Sequence, residues 1–311
     1  MRPRWGRARL LTRLVKEPLF ILGAPRSGTS LLYRALALHP EAAWISNYGR
    51  RVPSLPQLAY LNRVARRAPG LRRKAWFGDA GDGAGDGAYR YGRRRSVLER
   101  AFPQPVEGEP LFERRGVVHG ADPSSIESGP ALLRDDLVRL ARAADASTVV
   151  SKRTEHNRRV ALLDAIFPDC RFVVISRDGR AAARSLVAVD WWPDTELWWY
   201  GGTPRDWERR GGDPLELAAR HWVKEVEAIE SGLAAVPPER VHRLSYEDLV
   251  RAPFDSLRET AVFAGLSDDP GWRAELAHVP FPDQNRAASA ILDGRVELIQ
   301  GKTLRALGYS A

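Results

Sequence analysis

A short glycine-containing loop between an apolar segment and a helical pattern constrains the fold of this chain most. The segment LFIL, residues 19–22, leads into GAPRSGTS, residues 23–30. The following LLYRALALHP has apolar side chains at three- and four-residue intervals, which is typical of a helix packed on one face. A strand that enters a helix through such a loop directs backbone N–H groups at an anion. The sequence therefore predicts a strand–loop–helix unit that holds an anionic group.

Three further segments have the composition of buried strands followed by helical patterns. They are STVVSK at residues 147–152, RFVVIS at 171–176 and RVHRLS at 240–245. A last helix is expected over residues 295–307, ended by Gly308. The alternation of strands and helices predicts an α/β fold with a central parallel β-sheet flanked by helices.

The loop departs from the phosphate-binding pattern G-x-x-x-x-G-K-[ST] at one position. Gly23, Gly28 and Ser30 keep the pattern, but Thr29 replaces the lysine, and the nearest cation is Arg26 inside the loop. Phosphoryl transfer uses that lysine together with Mg²⁺ held by a hydroxyl and a carboxylate. No apolar strand here ends in an aspartate placed for Mg²⁺. A sulfuryl group carries one fewer negative charge, so backbone donors, hydroxyls and one or two cations could suffice without a metal.

The loop and three later elements resemble a known family. GAPRSGTSLL is similar to the 5′-phosphosulfate loop of sulfotransferases that use 3′-phosphoadenosine 5′-phosphosulfate (PAPS), in the bacterial, carbohydrate and tyrosylprotein branches with P-R-S-G-T-[ST]. FVVISRDGRAAARSL resembles their 3′-phosphate element, with Arg177 and Ser185 at the matching positions. RLSYEDLV, residues 243–250, and SKRTEHNRRV, residues 151–160, resemble two more elements. The four elements occur in the family's order over residues 19–250.

The resemblance implies a P-loop NTPase-like sulfotransferase fold in one domain, residues 1–311. It implies in-line transfer of the sulfuryl group from PAPS to a hydroxyl or amine, with 3′,5′-ADP as product and no metal. Arg26 and Lys152 would stabilise the transferred group, and Tyr246 would lie beside the adenosine. Positions that match the family's nucleotide-binding residues are Arg26, Ser27, Gly28, Thr29, Ser30, Arg177, Ser185 and Tyr246. Arg286 lies where other members have a late basic loop over the 3′-phosphate, although the family's R-K-G sequence is absent there.

The general base stays open among several residues. In tyrosylprotein-type relatives a glutamate after the first helix is implicated, but the equivalent place falls on Ser46 or Asn47, and neither is a usable base. His156 is the nearest equivalent of the histidine that cytosolic members use. Glu155 and Asp190 are the alternatives, and a purely structural His156 is an equal one.

Two variable insertions, about residues 42–104 and 190–213, are where the family forms its acceptor pocket. The second contains DWWPDTELWWYGG, residues 190–202, whose aromatic side chains fit either a wall that stacks on an acceptor or core packing. The resemblance leaves the acceptor open among small molecules, carbohydrates and lipids.

The net charge of +9 favours an anionic ligand, an acidic acceptor, a membrane surface or nucleic acid. Residues 50–74 are strongly basic and predict an amphipathic helix that serves as a solvated rim of an anion site; peripheral membrane contact is the lesser alternative. The single Cys170 excludes an internal disulfide and a cysteine-cluster metal site. We expect a cytoplasmic protein, because its basic start lacks the unbroken apolar run of a secretion signal. The resemblance to the bacterial branch implies a protein of bacterial type.

Three rival functions make different predictions. A P-loop nucleotide kinase would turn over ATP with Mg²⁺, although the missing lysine argues against it. A nucleic-acid-binding protein would bind with steep salt dependence and without turnover, and we expect no nucleic-acid partner. A PAPS-binding protein without transferase activity would bind 3′,5′-ADP and transfer nothing.

Overall fold

The computed structural model describes residues 14–78, 96–118, 120, 128–285 and 294–310. Within these residues one sheet has five parallel strands in the order β2-β3-β1-β4-β5. The strands are β1 Leu19–Leu22, β2 Ala42–Ala43, β3 Thr148–Lys152, β4 Arg171–Ser176 and β5 Val241–Ser245. The four predicted strands are confirmed. The sequence missed β2, because two alanines carry no strand pattern of their own and extend only by pairing with β3.

Fifteen α-helices in the described residues surround the sheet. Several begin with proline in the first turn, where its missing N–H group has no helical acceptor to lose. The helices are α1 Thr29–Ala37, α2 Asn47–Arg51, α3 Tyr60–Arg66, α4 Pro69–Phe77, α5 Val97–Ala101, α6 Glu109–Glu113, α7 Gly129–Ala144, α8 Val160–Ile166, α9 Gly179–Val187, α10 Pro204–Arg209, α11 Pro214–Leu233, α12 Tyr246–Arg251, α13 Pro253–Phe263, α14 Pro270–Leu276 and α15 Gly294–Ala306.

Strand β1 contributes to the core on both faces of the sheet. Leu19 and Ile21 pack with residues of α1 and α13 on one face, while Phe20 and Leu22 pack with residues of α7 and α8 on the other. Successive side chains of a strand point to opposite faces, so a central strand covered on both sides is apolar throughout. A buried phenylalanine such as Phe20 contributes about 3–5 kcal/mol to stability. The core thus fixes β1 at the centre of the sheet.

The carboxyl ends of the strands lie at one edge of the sheet. Leu19 of β1 pairs with Val150 of β3 on one side and with Arg171 of β4 on the other. The loops that follow β1, β3, β4 and β5 therefore meet at this edge. In open parallel sheets, ligands usually bind in the crevice outside these ends, at the point where the connections of two neighbouring strands run to opposite sides.

The predicted basic amphipathic helix is present in part: Leu61 and Val64 of its apolar stripe lie on α3, but residues 50–74 do not form one helix. The segment is divided into α2, a 3₁₀ turn at Pro56–Ala59, α3 and α4. The break at Pro69 has a backbone cause, since proline disfavours a helical conformation at the preceding residue. Two of the arginines are structural: Arg72 is buried in an ion pair with Glu275, and Arg66 donates to the carbonyl oxygens of Ala144 and Ala42 at 2.6 and 2.9 Å.

The last helix agrees with the expectation within one residue. Helix α15 ends at Ala306, and Gly308 follows with φ of 83°, a left-handed conformation that favours glycine at a helix end. Among the described residues, no helix combines the length and the apolar composition needed to cross a bilayer.

Candidate functional site

A cleft of about 840 Å³ opens at the carboxyl edge of the sheet. It is lined by the loop after β1, by residues 152–155 after β3, by Arg177 after β4 and by Tyr246 after β5. Residues of the tryptophan-rich segment and of α11 also line it, together with Arg50, Glu107, Pro282 and Gln284. Four strand ends therefore contribute to one cavity, as the topology requires.

The glycine loop directs the first turn of α1 into this cleft. Gly28, Thr29 and Ser30 line the cleft, and α1 begins at Thr29, so the positive end of the helix dipole faces the cavity. Gly28 has φ of 87°, and a Cβ atom there would lie 2.6 Å from Cδ2 of Tyr246. Only glycine fits this position. Ser27 differs from the other predicted donors: it is buried outside the cleft lining, and its N–H group donates to Ala24 O at 3.1 Å.

Arg26 and Arg177 belong to different strand–helix junctions and meet in the cleft. Arg177 Nη1 donates to the backbone oxygen of Arg26 at 2.8 Å, and Arg26 Nε donates to Ser185 Oγ at 2.9 Å. Arg26 has φ of 70°, a left-handed conformation that few residues other than glycine adopt. The backbone thus bears a local strain at the position whose side chain faces Ser185.

The ring of Tyr246 packs against the guanidinium group of Arg177. The guanidinium carbon of Arg177 lies 4.6 Å from the centre of the Tyr246 ring, a cation–π distance. The tyrosine hydroxyl donates to Pro282 O at 2.7 Å and accepts from Gln284 N at 3.2 Å. The hydroxyl of Tyr246 is therefore held by two hydrogen bonds, and its ring packs against Gly28 and Arg177.

A late segment of the chain, which ends at Asn285, also contacts Arg177. Arg177 Nε donates to Asn285 Oδ1 at 2.8 Å, and Arg177 Nη2 donates to Gln284 O at 3.2 Å. Arg286, predicted from the family pattern, lies outside the described residues. Asn285 shows that the segment before it reaches the arginine of the β4 junction.

Lys152 ends β3 in the cleft, where it forms an ion pair with Glu107. Arg153 Nη1 also contacts Glu107, at 3.1 Å from Oε2. Burial alone would raise the pKa of Glu107, but the charges and hydrogen bonds of Lys152 and Arg153 outweigh it and hold the pKa below its usual value. Glu107 is therefore an ionised carboxylate at the wall of the cleft, with its side chain 34% exposed.

The sequence analysis missed Glu107, and its position depends on a long-range backbone pairing. Val106 N donates to Ile45 O at 3.0 Å, Asn47 N donates to Gln104 O at 3.2 Å, and residues 46 and 105 form an antiparallel bridge. The segment before Glu107 thus lies beside Ser46 and Asn47, where tyrosylprotein-type relatives would have their glutamate. A carboxylate reaches the region from a different part of the chain.

His156 lies outside the cleft lining and has no exposed surface. Its Nε2 is 2.9 Å from Ser151 Oγ, and its ring packs edge-on against Phe20 and Phe112, at centroid distances of 5.2 and 5.0 Å. Burial, and after it the nearby Arg159, lowers the pKa of His156 well below its usual value. The residue has the surroundings of a core histidine.

The two alternative bases are also placed differently. Glu155 lines the cleft, where it forms ion pairs with Arg153 and, at 3.7 Å, with Arg158. Asp190 is exposed and is absent from the cleft lining. Among the candidate carboxylates, Glu107 and Glu155 therefore face the cavity.

The tryptophan-rich segment provides both wall and core. Trp191, Trp192 and Trp198 all border the cleft. Trp191 and Trp198 have 37% and 38% of their surfaces exposed, whereas Trp192 is 1% exposed and packs in an apolar cluster with α9 and α11. Trp199 Nε1 donates to His221 Nδ1 at 3.0 Å. Burial, with a smaller contribution from Arg158, lowers the pKa of His221 to about 3, so this ring is neutral.

The charge of the cleft is supplied by side chains and a helix N-terminus. No group of three or more histidine, cysteine, aspartate or glutamate residues in the described part of the chain has a metal-binding arrangement. Arg26 and Arg177 line the cleft beside the glycine loop, and Lys152 lines it in its ion pair with Glu107. Trp191 and Trp198 also line it. The cavity can hold an anionic group beside its cations and a polar or ring-shaped group beside its tryptophans.

Comparison with solved structures relates the fold to three bacterial proteins. A sulfotransferase from Mycobacterium avium is 18% identical, with a TM-score of 0.57; the match covers 95% of this chain and 78% of that one. The sulfotransferase domain of the olefin synthase of Synechococcus is 17% identical, with a TM-score of 0.53, over 96% and 97% of the two chains. A sulfotransferase from Mycobacterium tuberculosis is 16% identical, with a TM-score of 0.54, over 93% and 76%. The TM-scores show a shared fold, and at identities this low the comparison shows the fold alone.

None of the curated proteins compared matches the chain. The sequence model of the sulfotransferase family, in contrast, matches residues 18–270. This range begins just before β1 and includes the glycine loop, the Arg177 junction and every strand of the sheet. Because the match covers most of the chain and the cleft is formed within it, the chain belongs to the sulfotransferase family.

Proposed function

We propose that the protein transfers the sulfuryl group of PAPS to a hydroxyl or amine of an acceptor by in-line displacement. The observation that carries this proposal is the contact between the glycine loop and Arg177 at one side of a single cleft. Two anion sites that share a cavity suit a nucleotide with phosphate at its 3′ position and phosphosulfate at its 5′ position.

Each half of the donor has a suitable set of groups. Arg177 and Ser185 would bind the 3′-phosphate, and charge-assisted hydrogen bonds of this kind contribute about 1.5–3 kcal/mol each. The backbone of Gly28, Thr29 and Ser30, at the positive end of α1, would bind the 5′-phosphate. Ser27 would act through its place in the loop, because its side chain does not line the cleft.

The reaction forms one bond to sulfur and breaks another. The acceptor oxygen or nitrogen attacks the sulfur, and the S–O bond to the 5′-phosphate breaks with its electron pair on the phosphate oxygen. Arg26 would stabilise this developing charge, exchanging its hydrogen bond to Ser185 for one to the leaving oxygen. Lys152 would bind a sulfuryl oxygen.

We propose Glu107 as the general base that receives the acceptor proton. It lines the cleft, it is ionised and it contacts the lysine that would hold the sulfuryl group. A base must lie within hydrogen-bond reach of the reacting group. When Lys152 moves to the sulfuryl oxygen, Glu107 loses its closest positive charge. The pKa of Glu107 then rises, so the carboxylate accepts the acceptor proton more readily.

The acceptor would enter between the Glu107 side and the exposed tryptophans. Trp191 and Trp198 offer ring surfaces on which a planar group or the apolar face of a sugar can pack. Glu196 and Arg50 also line the cleft and can bind hydroxyl groups. These side chains suit small-molecule, carbohydrate or lipid acceptors.

Isothermal titration calorimetry tests the donor assignment directly. We expect 3′,5′-ADP to bind without metal and ATP with Mg²⁺ to bind weakly or not at all. Incubation with ³⁵S-labelled PAPS and a cell extract should then label an acceptor. Tight binding of ATP with Mg²⁺ and none of 3′,5′-ADP would overturn the proposal. Binding of 3′,5′-ADP without transfer to any acceptor would favour a nucleotide-binding protein without transferase activity.

A further inference from the structure

One buried carboxylate links the residue that binds the start of the glycine loop to the tryptophan-rich segment. Glu225 of α11 lines the cavity but has no exposed surface. Its Oε2 accepts a hydrogen bond from Asn157 Nδ2 at 2.7 Å. Its Oε1 accepts from Arg158 Nη1 at 2.9 Å and from Trp198 Nε1 at 2.8 Å. Three donors from two separate segments therefore converge on one side chain.

The Oε2 side leads to the glycine loop. Asn157 is fully buried, and its side-chain amide binds both polar groups of Gly23. Gly23 N donates to Asn157 Oδ1 at 3.1 Å, and Asn157 Nδ2 donates to Gly23 O at 3.1 Å. Gly23 is the first residue of the loop that enters α1. A displacement of this loop therefore acts on Asn157 and, through it, on Glu225.

The Oε1 side leads to the tryptophan wall. Trp198 lines the cleft, and the guanidinium of Arg158 lies over its ring at 5.3 Å from the centroid. Both groups are held by the same carboxylate oxygen. The position of the Trp198 ring thus depends on Glu225, although the two residues are 27 positions apart in the chain.

We propose that Glu225 is a positioning residue that couples occupancy of the donor loop to the orientation of the Trp198 wall. This inference rests on the proposed function, in which the loop binds PAPS and the wall faces the acceptor. A carboxylate is planar, and here Oε2 accepts from the residue that binds Gly23, while Oε1 accepts from Arg158 and Trp198. Filling of the loop would move Gly23, Asn157 and Glu225 together and so set the wall for the acceptor. By linkage, an acceptor bound at the wall raises the affinity of the loop for the donor by the factor by which the donor raises the affinity of the wall for the acceptor.

The chemistry of the amide group supplies a specific variant. Glu225→Gln keeps the size of the side chain, but an amide has one acceptor oxygen and one NH₂ donor. Asn157 on one side and Arg158 with Trp198 on the other are all donors, so the glutamine can satisfy only one side. Glu216→Gln is the matched control, because Glu216 lies on the same helix and pairs with Arg220 at the surface.

Fluorine NMR of protein labelled with 5-fluorotryptophan provides the readout. The Trp198 resonance is identified by its loss in Trp198→Phe. In the protein without nucleotide, Asn157→Ala should shift this resonance, and the shift should disappear when Asn157→Ala is combined with Glu225→Gln. An equal shift in both backgrounds contradicts the coupling, whatever the ligand of the loop is.

A second arm uses 3′,5′-ADP. Its binding should shift the Trp198 resonance in the wild type and in Glu216→Gln, but not in Glu225→Gln, with calorimetry showing that this variant still binds. An undiminished shift in Glu225→Gln overturns the inference. If the wild type does not bind 3′,5′-ADP, the donor assignment fails, and the first arm still decides the coupling.

A third variant decides the question if Glu225→Gln does not fold. Trp198→Phe removes the indole N–H group that donates to Glu225 Oε1, together with part of the ring, and the coupling then predicts about fivefold weaker binding of 3′,5′-ADP. Trp207→Phe is the control. Trp207 lies on α10 outside the cleft lining, and its indole N–H group donates to Asp213 O at 2.9 Å. Unchanged affinity in Trp198→Phe contradicts the coupling.

Discussion

Arg177 Nη1 donates a hydrogen bond to the backbone carbonyl oxygen of Arg26 at 2.8 Å, and so joins two strand–helix junctions that are 151 residues apart in sequence. The contact positions one guanidinium beside the N-terminus of α1 and turns two local motifs into one cavity. The same arginine stacks on Tyr246 and binds the segment that ends at Asn285. Arg177 is thus the residue at which three of the predicted elements meet.

Replacing this arginine tests its proposed role in nucleotide binding. Arg177→Ala should weaken binding of 3′,5′-ADP by about 10- to 100-fold, because one or more charge-assisted hydrogen bonds are lost. Calorimetry measures the affinity, and the exposed Arg220→Ala on α11 is the control. Wild-type affinity in a folded Arg177→Ala protein would remove the residue from the donor site.

Glu107→Gln should separate chemistry from donor binding. The amide cannot take up a proton, so we expect the rate of sulfuryl transfer to fall by about 10²- to 10⁴-fold. Affinity for 3′,5′-ADP should stay unchanged or increase, because Lys152 loses its ion pair. Transfer of ³⁵S from labelled PAPS measures the rate, with Glu155→Gln as the control. If Glu155→Gln loses activity and Glu107→Gln retains it, the base is Glu155.

The left-handed backbone of Arg26 predicts a difference between two variants. Both Arg26→Gly and Arg26→Ala remove the guanidinium and should abolish transfer. Only glycine adopts φ of 70° without strain, so Arg26→Gly should be about 1 kcal/mol more stable than Arg26→Ala. Urea unfolding measures the difference. Equal stability would mean that residue 26 is not strained.

The neutral His221 predicts a pH dependence of stability. Its pKa is about 3 in the folded chain against 6.5 in the unfolded chain. Between these values the unfolded chain binds a proton that the folded chain excludes, so the free energy of unfolding falls as the pH falls below 6.5. Well below 6.5 this single group contributes a slope of about 1.4 kcal/mol per pH unit.

His221→Gln should remove that part of the slope and keep an acceptor for the indole N–H group of Trp199. Urea unfolding at several pH values between 4 and 7 measures the slope, and the exposed His278→Gln is the control. The same slope in His221→Gln and in the wild type would show that burial does not hold this ring neutral.

The sequence by itself determined four of the five strands, the glycine loop and the family. These features are local. A buried parallel strand is recognised by a run of apolar residues, a helix by apolar residues at three- and four-residue intervals, and the loop by the glycine that its positive φ requires at Gly28. Each is encoded within about ten neighbouring residues. The four predicted strands and the last helix are confirmed for that reason.

Tertiary structure decided which polar side chains face the cleft. Glu107 reaches Lys152 through backbone pairing with residues 45–47, and Glu225 reaches Asn157 from a helix 68 residues further along the chain. His156 has the residue type of a base, but its ring lies between two phenylalanines in the core. Contacts of this kind depend on how separate segments pack, and a pattern within one segment does not encode them.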